Sequence, residues 1–307
     1  MQLFRTDLAM ESIQDTGDAS IPGVRVSHWE SDGVTITEVA IMDNEAARRL
    51  GKPRGVYLTL ECPLLRERDP DARLAMAGLL AEEVARIVPA ADAPDPVLVV
   101  GLGNRSITPD ALGPGVIDRI LVTRHLLSGP FGSPDLRSVC AIAPGVLGIT
   151  GIETMEMVES VVRAVRPRAV ICVDSLAARD SRRIGSVIQL ADTGIQPGAG
   201  VGNHRKPLTE DTLGVPVISL GMPTVIYAAT LARDAFSWLS RQSGDDEAHE
   251  DALEDMERSL LAADIGEMIV TPREIDTLIG EAADIIAAAI NRALQPRLSD
   301  EQIAAMT

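Results

Sequence analysis

Val97-Leu98-Val99-Val100-Gly101-Leu102-Gly103-Asn104 is the stretch of sequence that decides the fold. A continuous β-branched run that ends in glycines is typical of a strand that is buried on both faces and enters a tight loop. Two later runs have the same character, at residues 169–174 and 215–220. Apolar residues at helical spacing predict helices at residues 70–88 and 153–166. Strands that alternate with helices predict an α/β fold with a mainly parallel central sheet flanked by helices.

The segments outside this centre predict a small β-rich N-terminal extension and a helical tail. Residues 34–41 and 55–61 mix β-branched residues with alternating polarity, which indicates strands. Thr271, followed by proline and by glutamate three residues on, predicts the N-cap of a helix that runs to about residue 293. The acidic run at residues 244–257 predicts a solvated linker or loop. We expect a single domain over residues 1–307.

The composition excludes several classes of function. The net charge of −17 makes the surface repel phosphate backbones and anionic membranes, so we expect no direct nucleic-acid partner and no membrane partner. The beginning of the sequence has no signal-peptide character, and no uncharged apolar run is long enough to span a bilayer. The three cysteines lack CxxC spacing and indicate buried, reduced thiols. These features predict a soluble cytoplasmic protein.

Two aspartates stand out by their positions. Asp174 ends one predicted strand, and Asp110 lies in the loop after another. In open α/β sheets, ligand sites gather beyond the carboxyl ends of the strands. Two carboxyl groups that are close together share a proton, so one can act as a general base on water and the other as a general acid. The alternative roles are purely structural: Asp174 would cap a following helix, and Asp110 would be a loop or N-cap residue. The sequence also leaves open which carboxyl group would be the acid and which the base.

Glycine-rich segments predict close approach of backbone to a ligand. Gly101, Gly103 and Asn104 are candidates for the substrate cleft and for oxyanion donors. They resemble the start of a GxGxxG dinucleotide motif, but Ser106 takes the place of its last glycine. Asp192 and Gly194 belong to the same set of candidates, on a glycine-rich segment that extends to residue 206 and suits a cleft wall or flap. The alternative role for Asp192 is that of a turn residue without a part in the site.

Metal or cofactor binding has little support in the sequence. His125 lies in a helical pattern over residues 121–127, and His204 lies in a basic patch, so both are more typical of surface or core positions than of ligands. Metal-ligand spacing of histidines or cysteines is absent, although a mixed Asp/His site stays open. We expect no metal and no cofactor.

Read together, several segments of this sequence resemble the germination proteases of spore-forming bacteria. The matching segments are residues 5–11, 57–61, 99–104, 108–114, 121–126, 143–154, 173–179, 192–195, 200–203, 211–217 and 270–276.

The resemblance implies an aspartic-type endopeptidase that degrades small acid-soluble spore proteins in the spore core during germination. It implies a phosphorylase/hydrolase-like fold related to the hydrogenase maturation proteases, with Asp110 and Asp174 as the essential pair. It also implies a homotetramer made as a zymogen. Residues 1–7 would be a pro-segment, with self-cleavage between Asp7 and Leu8. Kinship to metal-binding maturation proteases leaves a metal-assisted peptidase as the alternative.

Overall fold

A sheet of nine strands forms the centre of the molecule. The computed structural model describes residues 6–14, 16, 21–89, 95–127, 135–201, 205–243, 259 and 268–307. Within these residues the strands lie in the order β1-β2-β3-β7-β8-β6-β4-β5, and β9 pairs with β8. Their bounds are β1 (Val24–Ser31), β2 (Val34–Ile41), β3 (Gly55–Glu61), β4 (Val97–Gly101), β5 (Val139–Ile142), β6 (Ala169–Ala177), β7 (Val187–Ala191), β8 (Val217–Tyr227) and β9 (Ile269–Val270).

The sheet is mixed, which corrects the expectation of a mainly parallel one. Strands β5, β4, β6 and β8 pair in parallel, through three pairings. The other five pairings among the described strands are antiparallel. The N-terminal strands β1 to β3 are therefore no separate extension, because β7 joins β3 to β8 in one sheet. Apolar periodicity reports that a strand is buried but not its direction, which is why the sequence did not predict this join.

Helices cover the sheet. Their bounds are α1 (Ala9–Gln14), α2 (Asn44–Leu50), α3 (Pro70–Ile87), α4 (Leu112–Ile117), α5 (Arg124–Leu127), α6 (Leu147–Thr150), α7 (Thr154–Val165), α8 (Glu210–Leu213), α9 (Ala228–Ser243), α10 (Ile275–Leu294) and α11 (Asp300–Met306). Alternate residues of β4 point to opposite faces of the sheet. Val97 and Val99 pack in one cluster with α3, α4 and α10, whereas Leu98 and Val100 pack with α7. No helix in the described part of the chain has the length and apolar character that a bilayer crossing needs.

Most predicted elements are confirmed, and the predicted cap of the last long helix is wrong. The strands at residues 34–41 and 55–61 and the helices near residues 70–88 and 153–166 are present. Helix α10 begins at Ile275, whose preceding residue Glu274 makes no side-chain cap. Thr271 instead donates its hydroxyl to the Thr224 carbonyl at 2.8 Å, so it ties the end of β9 to β8. The acidic run at residues 244–257 lies outside the described residues.

Backbone contact between β4 and α4 brings two loops together. A Cβ added at Gly113 would lie 2.2 Å from the Leu102 carbonyl oxygen and 2.5 Å from that of Val173. A Cβ at Gly101 would lie 2.3 Å from the Gly113 carbonyl oxygen. Any side chain at these positions would push α4 away from the carboxyl ends of β4 and β6. The glycines therefore fix the position of the loop between β4 and α4.

We expect Gly113→Ala to lower the free energy of unfolding by about 3 kcal/mol or more, since the added methyl group meets backbone that cannot rotate away. Gly280→Ala is the matched control, because it lies in α10 with open space around its Cβ position. That variant should be neutral or stabilising by up to about 1 kcal/mol, through helix propensity alone. Chemical denaturation of both variants checks the prediction, and equal stability of the two would contradict it.

Candidate functional site

Asp174 lies on β6, near its carboxyl end, opposite Gly221 of β8. Its side chain is 6% exposed. One of its carboxylate oxygens, Oδ1, accepts the N–H of Ser175 at 2.9 Å. Strand β6 continues to Ala177, so Asp174 does not cap a helix that follows it.

Asp110 is held in place by the loop that follows β4. It ends a short 3-10 helix, Thr108–Asp110. The N–H of Asn104 donates to the Asp110 carbonyl at 2.9 Å and to its Oδ2 at 2.8 Å. Gly103, at a φ of +108°, lies so close that a Cβ there would be 2.1 Å from the Asp110 carbonyl oxygen. Buried Thr224 of β8 donates its hydroxyl to the Pro109 carbonyl at 2.8 Å, so the loop is tied to the centre of the sheet.

The two aspartates line one cavity of about 520 Å³. Burial raises the pKa of Asp174 well above its usual range, and the charges of Asp110 and Asp7 raise it further. Burial also raises the pKa of Asp110, against the lowering effect of its hydrogen bond from Asn104. The charge of each carboxylate opposes ionisation of the other, which favours a state of the pair that carries one proton and suits combined acid and base chemistry.

A residue of the chain's own first described segment, Asp7, forms part of the wall of this cavity. Asp7 lines the cavity and pairs with the end of β6. Its N–H donates to the Ala177 carbonyl at 2.9 Å, and its Oδ2 accepts the N–H of Ala177 at 2.8 Å. A Cβ at Gly200 would lie 2.0 Å from that same Oδ2, so only glycine leaves room for the carboxylate. Burial raises the pKa of Asp7, opposed by the Lys52 charge and by backbone N–H groups of Ala177 and Gly200.

The two residues after Asp7 fill closed apolar pockets. Leu8 is completely buried in a cluster formed by Leu176, Ala178, Ile184, Val187 and Ile226. Ala9 is also completely buried, and its N–H donates to Gln189 Oε1 at 2.8 Å. An acidic, a large apolar and a small residue thus occupy three successive sites of matching size and polarity.

Two side chains meet at the carbonyl group of Asp7. Lys52 Nζ donates to this oxygen at 2.9 Å and to the Thr6 carbonyl at 3.0 Å. Gln189 Nε2 donates to the same Asp7 oxygen, also at 2.9 Å. Burial lowers the pKa of Lys52, while the nearby carboxylates of Asp7 and Glu11 raise it.

The glycine-rich candidates fall in different places. Gly103 and Asn104 line the cavity of the two aspartates. Gly101 packs against Gly113, below the cavity. Asp192 and Gly194 line a neighbouring cavity of about 780 Å³, which Asp7, Lys52 and Gln189 also line. There Asp192 Oδ1 accepts the N–H of Val56 at 2.8 Å and so joins the ends of β7 and β3.

Part of the glycine-rich segment forms a wall of the site, and His125 does not line it. Pro197 and Gly198 line the cavity of the aspartates. His125 is exposed on α5, and His204 lies outside the described residues. In the described ranges, no three or more His, Cys, Asp and Glu side chains form a group that could hold a metal ion.

Sequence reasoning missed Lys52, Gln189 and Ala177, and it placed Gly200 only as part of a glycine-rich cleft wall or flap. Lys52 follows α2 and Gln189 lies on β7, so their meeting at residue 7 depends on contacts across 45 and 182 positions of the sequence. A lone lysine after a helix and a lone glutamine in a strand carry no local pattern. The positive φ of Gly51, which ends α2, turns the chain toward the site, but glycine is common at helix ends and does not mark a site.

A peptide segment beside a cavity that is lined by Asp110 and by buried Asp174 is an arrangement that suits a peptidase. A family model described as germination protease matches residues 5–266. The chain belongs to the germination protease family. It is 43% identical to a germination protease of Caldanaerobacter subterraneus subsp. tengcongensis, over 98% of this chain and 97% of that protein. It is 40% identical to one of Clostridium tetani, over 97% and 98%, and 36% identical to one of Priestia megaterium, over 99% and 96%.

The raised pKa of Asp174 predicts that this carboxyl group destabilises the folded protein at neutral pH. A carboxyl group whose pKa is higher in the folded state favours folding least at pH values above the folded pKa, and most below its unfolded value of about 4. We therefore expect Asp174→Asn to raise the melting temperature at pH 7 by a few degrees, and the gain to shrink as the pH falls toward 4.

The matched control is Asp118→Asn, since the contact with Arg105 lowers the pKa of Asp118. That variant should give no gain in melting temperature at pH 7. Calorimetry of both variants between pH 4 and 8 tests the assignment. A loss of stability in Asp174→Asn at pH 7 would show that its carboxylate is favourably paired.

Proposed function

We propose that this chain is an aspartic-type endopeptidase that uses Asp110 and Asp174 to activate water. The observation that carries the proposal is the position of the Asp7–Leu8 peptide, whose first residue lines the same cavity as both aspartates. We propose that the enzyme is made as a zymogen and that it activates itself by cleaving this bond. Its substrates would be small acid-soluble spore proteins, and the assembly a homotetramer, as the resemblance implies.

The chemistry follows from the unequal environments of the two carboxyl groups. Asp174 is the more deeply buried and has the more strongly raised pKa, so it holds the shared proton. Asp110 is stabilised as an anion by the Asn104 N–H, so it takes a proton from water. The water oxygen then attacks the Asp7 carbonyl carbon. Asp174 gives its proton to the Leu8 nitrogen as the C–N bond breaks, and the products are a carboxylic acid and an amine.

The residues around the bond account for substrate choice. The Ala177 and Gly200 backbone fits an acidic side chain before the bond, and the cluster around Leu8 fits a large apolar one after it. A substrate segment with an acidic residue, an apolar residue and alanine would bind as residues 7–9 do.

Self-cleavage should occur within one chain. Because Asp7 already lies in the cavity of its own chain, the first-order rate constant should stay the same over a hundredfold range of protein concentration. Mass spectrometry of the full chain during incubation at several pH values measures the rate and identifies the new N-terminus, which we expect at Leu8. Asp174→Asn should slow the reaction by about 10²–10⁴-fold with its fold intact. Near-normal cleavage by that variant would sink the mechanism.

Gly200→Ala should impair cleavage of acidic substrates by a chain that begins at Leu8. The added methyl group occupies the place of the substrate carboxylate, so kcat/KM should fall about tenfold or more, mainly through a higher KM. A peptide with the sequence of residues 3–12 is the substrate. Gly78→Ala, in open space on α3, is the matched control and should cleave as the unaltered chain does. Equal kcat/KM for both variants would remove Gly200 from the substrate site.

A further inference from the structure

The carbonyl group before the proposed scissile bond has two side-chain donors. Lys52 Nζ and Gln189 Nε2 both lie 2.9 Å from the Asp7 carbonyl oxygen. The neighbouring backbone groups of the segment have other partners, since the Asp7 N–H pairs with Ala177 and the Leu8 N–H donates to Thr6 Oγ1 at 3.0 Å. The carbonyl of Asp7 is therefore singled out by an ammonium group and an amide N–H from two distant parts of the chain.

Such donors act at the atom where negative charge develops. When water adds to a peptide carbonyl, the oxygen becomes an oxyanion, and preorganised donors stabilise it more than they stabilise the neutral carbonyl. Lys52 supplies a positive charge in a site where burial weakens the competition from solvent. Gln189 is only 8% exposed and is fixed at its other end, because its Oε1 accepts the Ala9 N–H. Its Nε2 is thereby aimed at the carbonyl.

The four side chains come from two halves of the sheet. Asp110 and Asp174 belong to the parallel half and line the cavity of about 520 Å³. Lys52 and Gln189 belong to the antiparallel half and line the cavity of about 780 Å³. Asp7 lines both cavities, so it joins the cavity of the two carboxyl groups to the cavity of the two donors.

We propose that Lys52 and Gln189 form the oxyanion-binding site of this peptidase and are catalytic residues for every substrate that takes the place of residues 7–9. The inference rests on the proposed function. Water adds to the carbonyl carbon, its proton goes to Asp110, and the negative charge that forms on the oxygen is held by these two donors. An electron pair on the oxygen re-forms the carbonyl double bond as the C–N bond breaks, the Leu8 nitrogen takes the proton of Asp174, and no other reactant is needed.

The variants separate this role from simple anchoring of the segment. Lys52→Met removes the charge while keeping the length of the side chain. Gln189→Glu keeps the acceptor for the Ala9 N–H but replaces the donor to the Asp7 carbonyl. Lys52→Arg keeps the charge. Arg54→Met is the matched control, because it removes another cation from the same loop and the same cavity.

The experiment measures self-cleavage of the full chain by mass spectrometry, with amide hydrogen exchange of residues 6–14 as the measure of anchoring. We expect Lys52→Met and Gln189→Glu to lower the rate constant by about 10²–10³-fold, with protection of the segment largely kept. Lys52→Arg should recover at least about tenfold of the loss, and Arg54→Met should cleave at the unaltered rate.

Other outcomes overturn the assignment. A normal rate in Lys52→Met and Gln189→Glu, beside an inactive Asp174→Asn, would overturn it while leaving the proposed function intact. A fall in rate that only matches the fall in protection would show that the two residues anchor the segment and do no more. Absence of self-cleavage in the unaltered chain at every pH would overturn the proposed function and this assignment together.

Discussion

The close backbone contact between β4 and α4 is the constraint on which the site depends. Gly101 and Gly113 let the first turn of α4 lie directly on the end of β4, within reach of the Val173 carbonyl of β6. That contact sets where the loop before α4 can run, and Asp110 is in that loop. The N–H of Leu102 donates to the Val173 carbonyl at 2.8 Å, one residue before Asp174. The same few atoms therefore position both carboxyl groups of the pair.

This arrangement of carboxyl groups is electrostatically unfavourable for the folded protein. Asp7, Asp110 and Asp174 line one cavity, and burial raises the pKa of each. The folded protein tolerates these three carboxyl groups because the rest of its core is large and aliphatic. Most strands of the sheet are buried on both faces. Lys52 supplies a nearby positive charge on the side of Asp7. Departure of Asp7 after cleavage would remove one of the charges that raise the pKa of Asp174, so the pair would then titrate at lower pH.

The sequence predicted the parts of the structure that local patterns encode. The strands at residues 34–41 and 55–61 and helix α3 follow from the periodicity of their own residues. The position of Asp174 follows from its place at the end of a buried run. The direction of β7 does not follow, because Val187–Ala191 has the same apolar character in either direction. Thr271 was predicted as a cap from a local pattern, and a tertiary contact with Thr224 took its hydroxyl instead.

The oxyanion donors show a more general limit of sequence reasoning. Aspartates at strand ends can be found because α/β sheets place ligands at one edge. No comparable rule points to Lys52 or Gln189, whose positions depend on how the antiparallel half of the sheet joins the parallel half through β7 and β8. That join was the part of the topology that the sequence did not predict. The missed topology and the missed donors are thus one error. Correct placement of β7 beside β8 would have brought Gln189 opposite Gly221, whose other neighbour across β8 is Asp174.

The two sides of the Asp7–Leu8 bond are held very differently. Downstream, Glu11 is completely buried, pairs with Arg183 at 2.7 Å and accepts the N–H groups of Arg179 and Asp180. Upstream, the contacts of Asp7 are those that a substrate side chain would make. Cleavage would leave the new N-terminal segment anchored through Glu11. The new ammonium group at Leu8 would lie against an apolar cluster, which favours departure of Leu8 and Ala9 and so frees the pockets that a substrate's apolar residue and alanine would enter. The same segment can therefore be a permanent part of the fold at Glu11 and a replaceable ligand at residues 7–9, which is what the proposed conversion of a zymogen into an enzyme acting on other proteins requires.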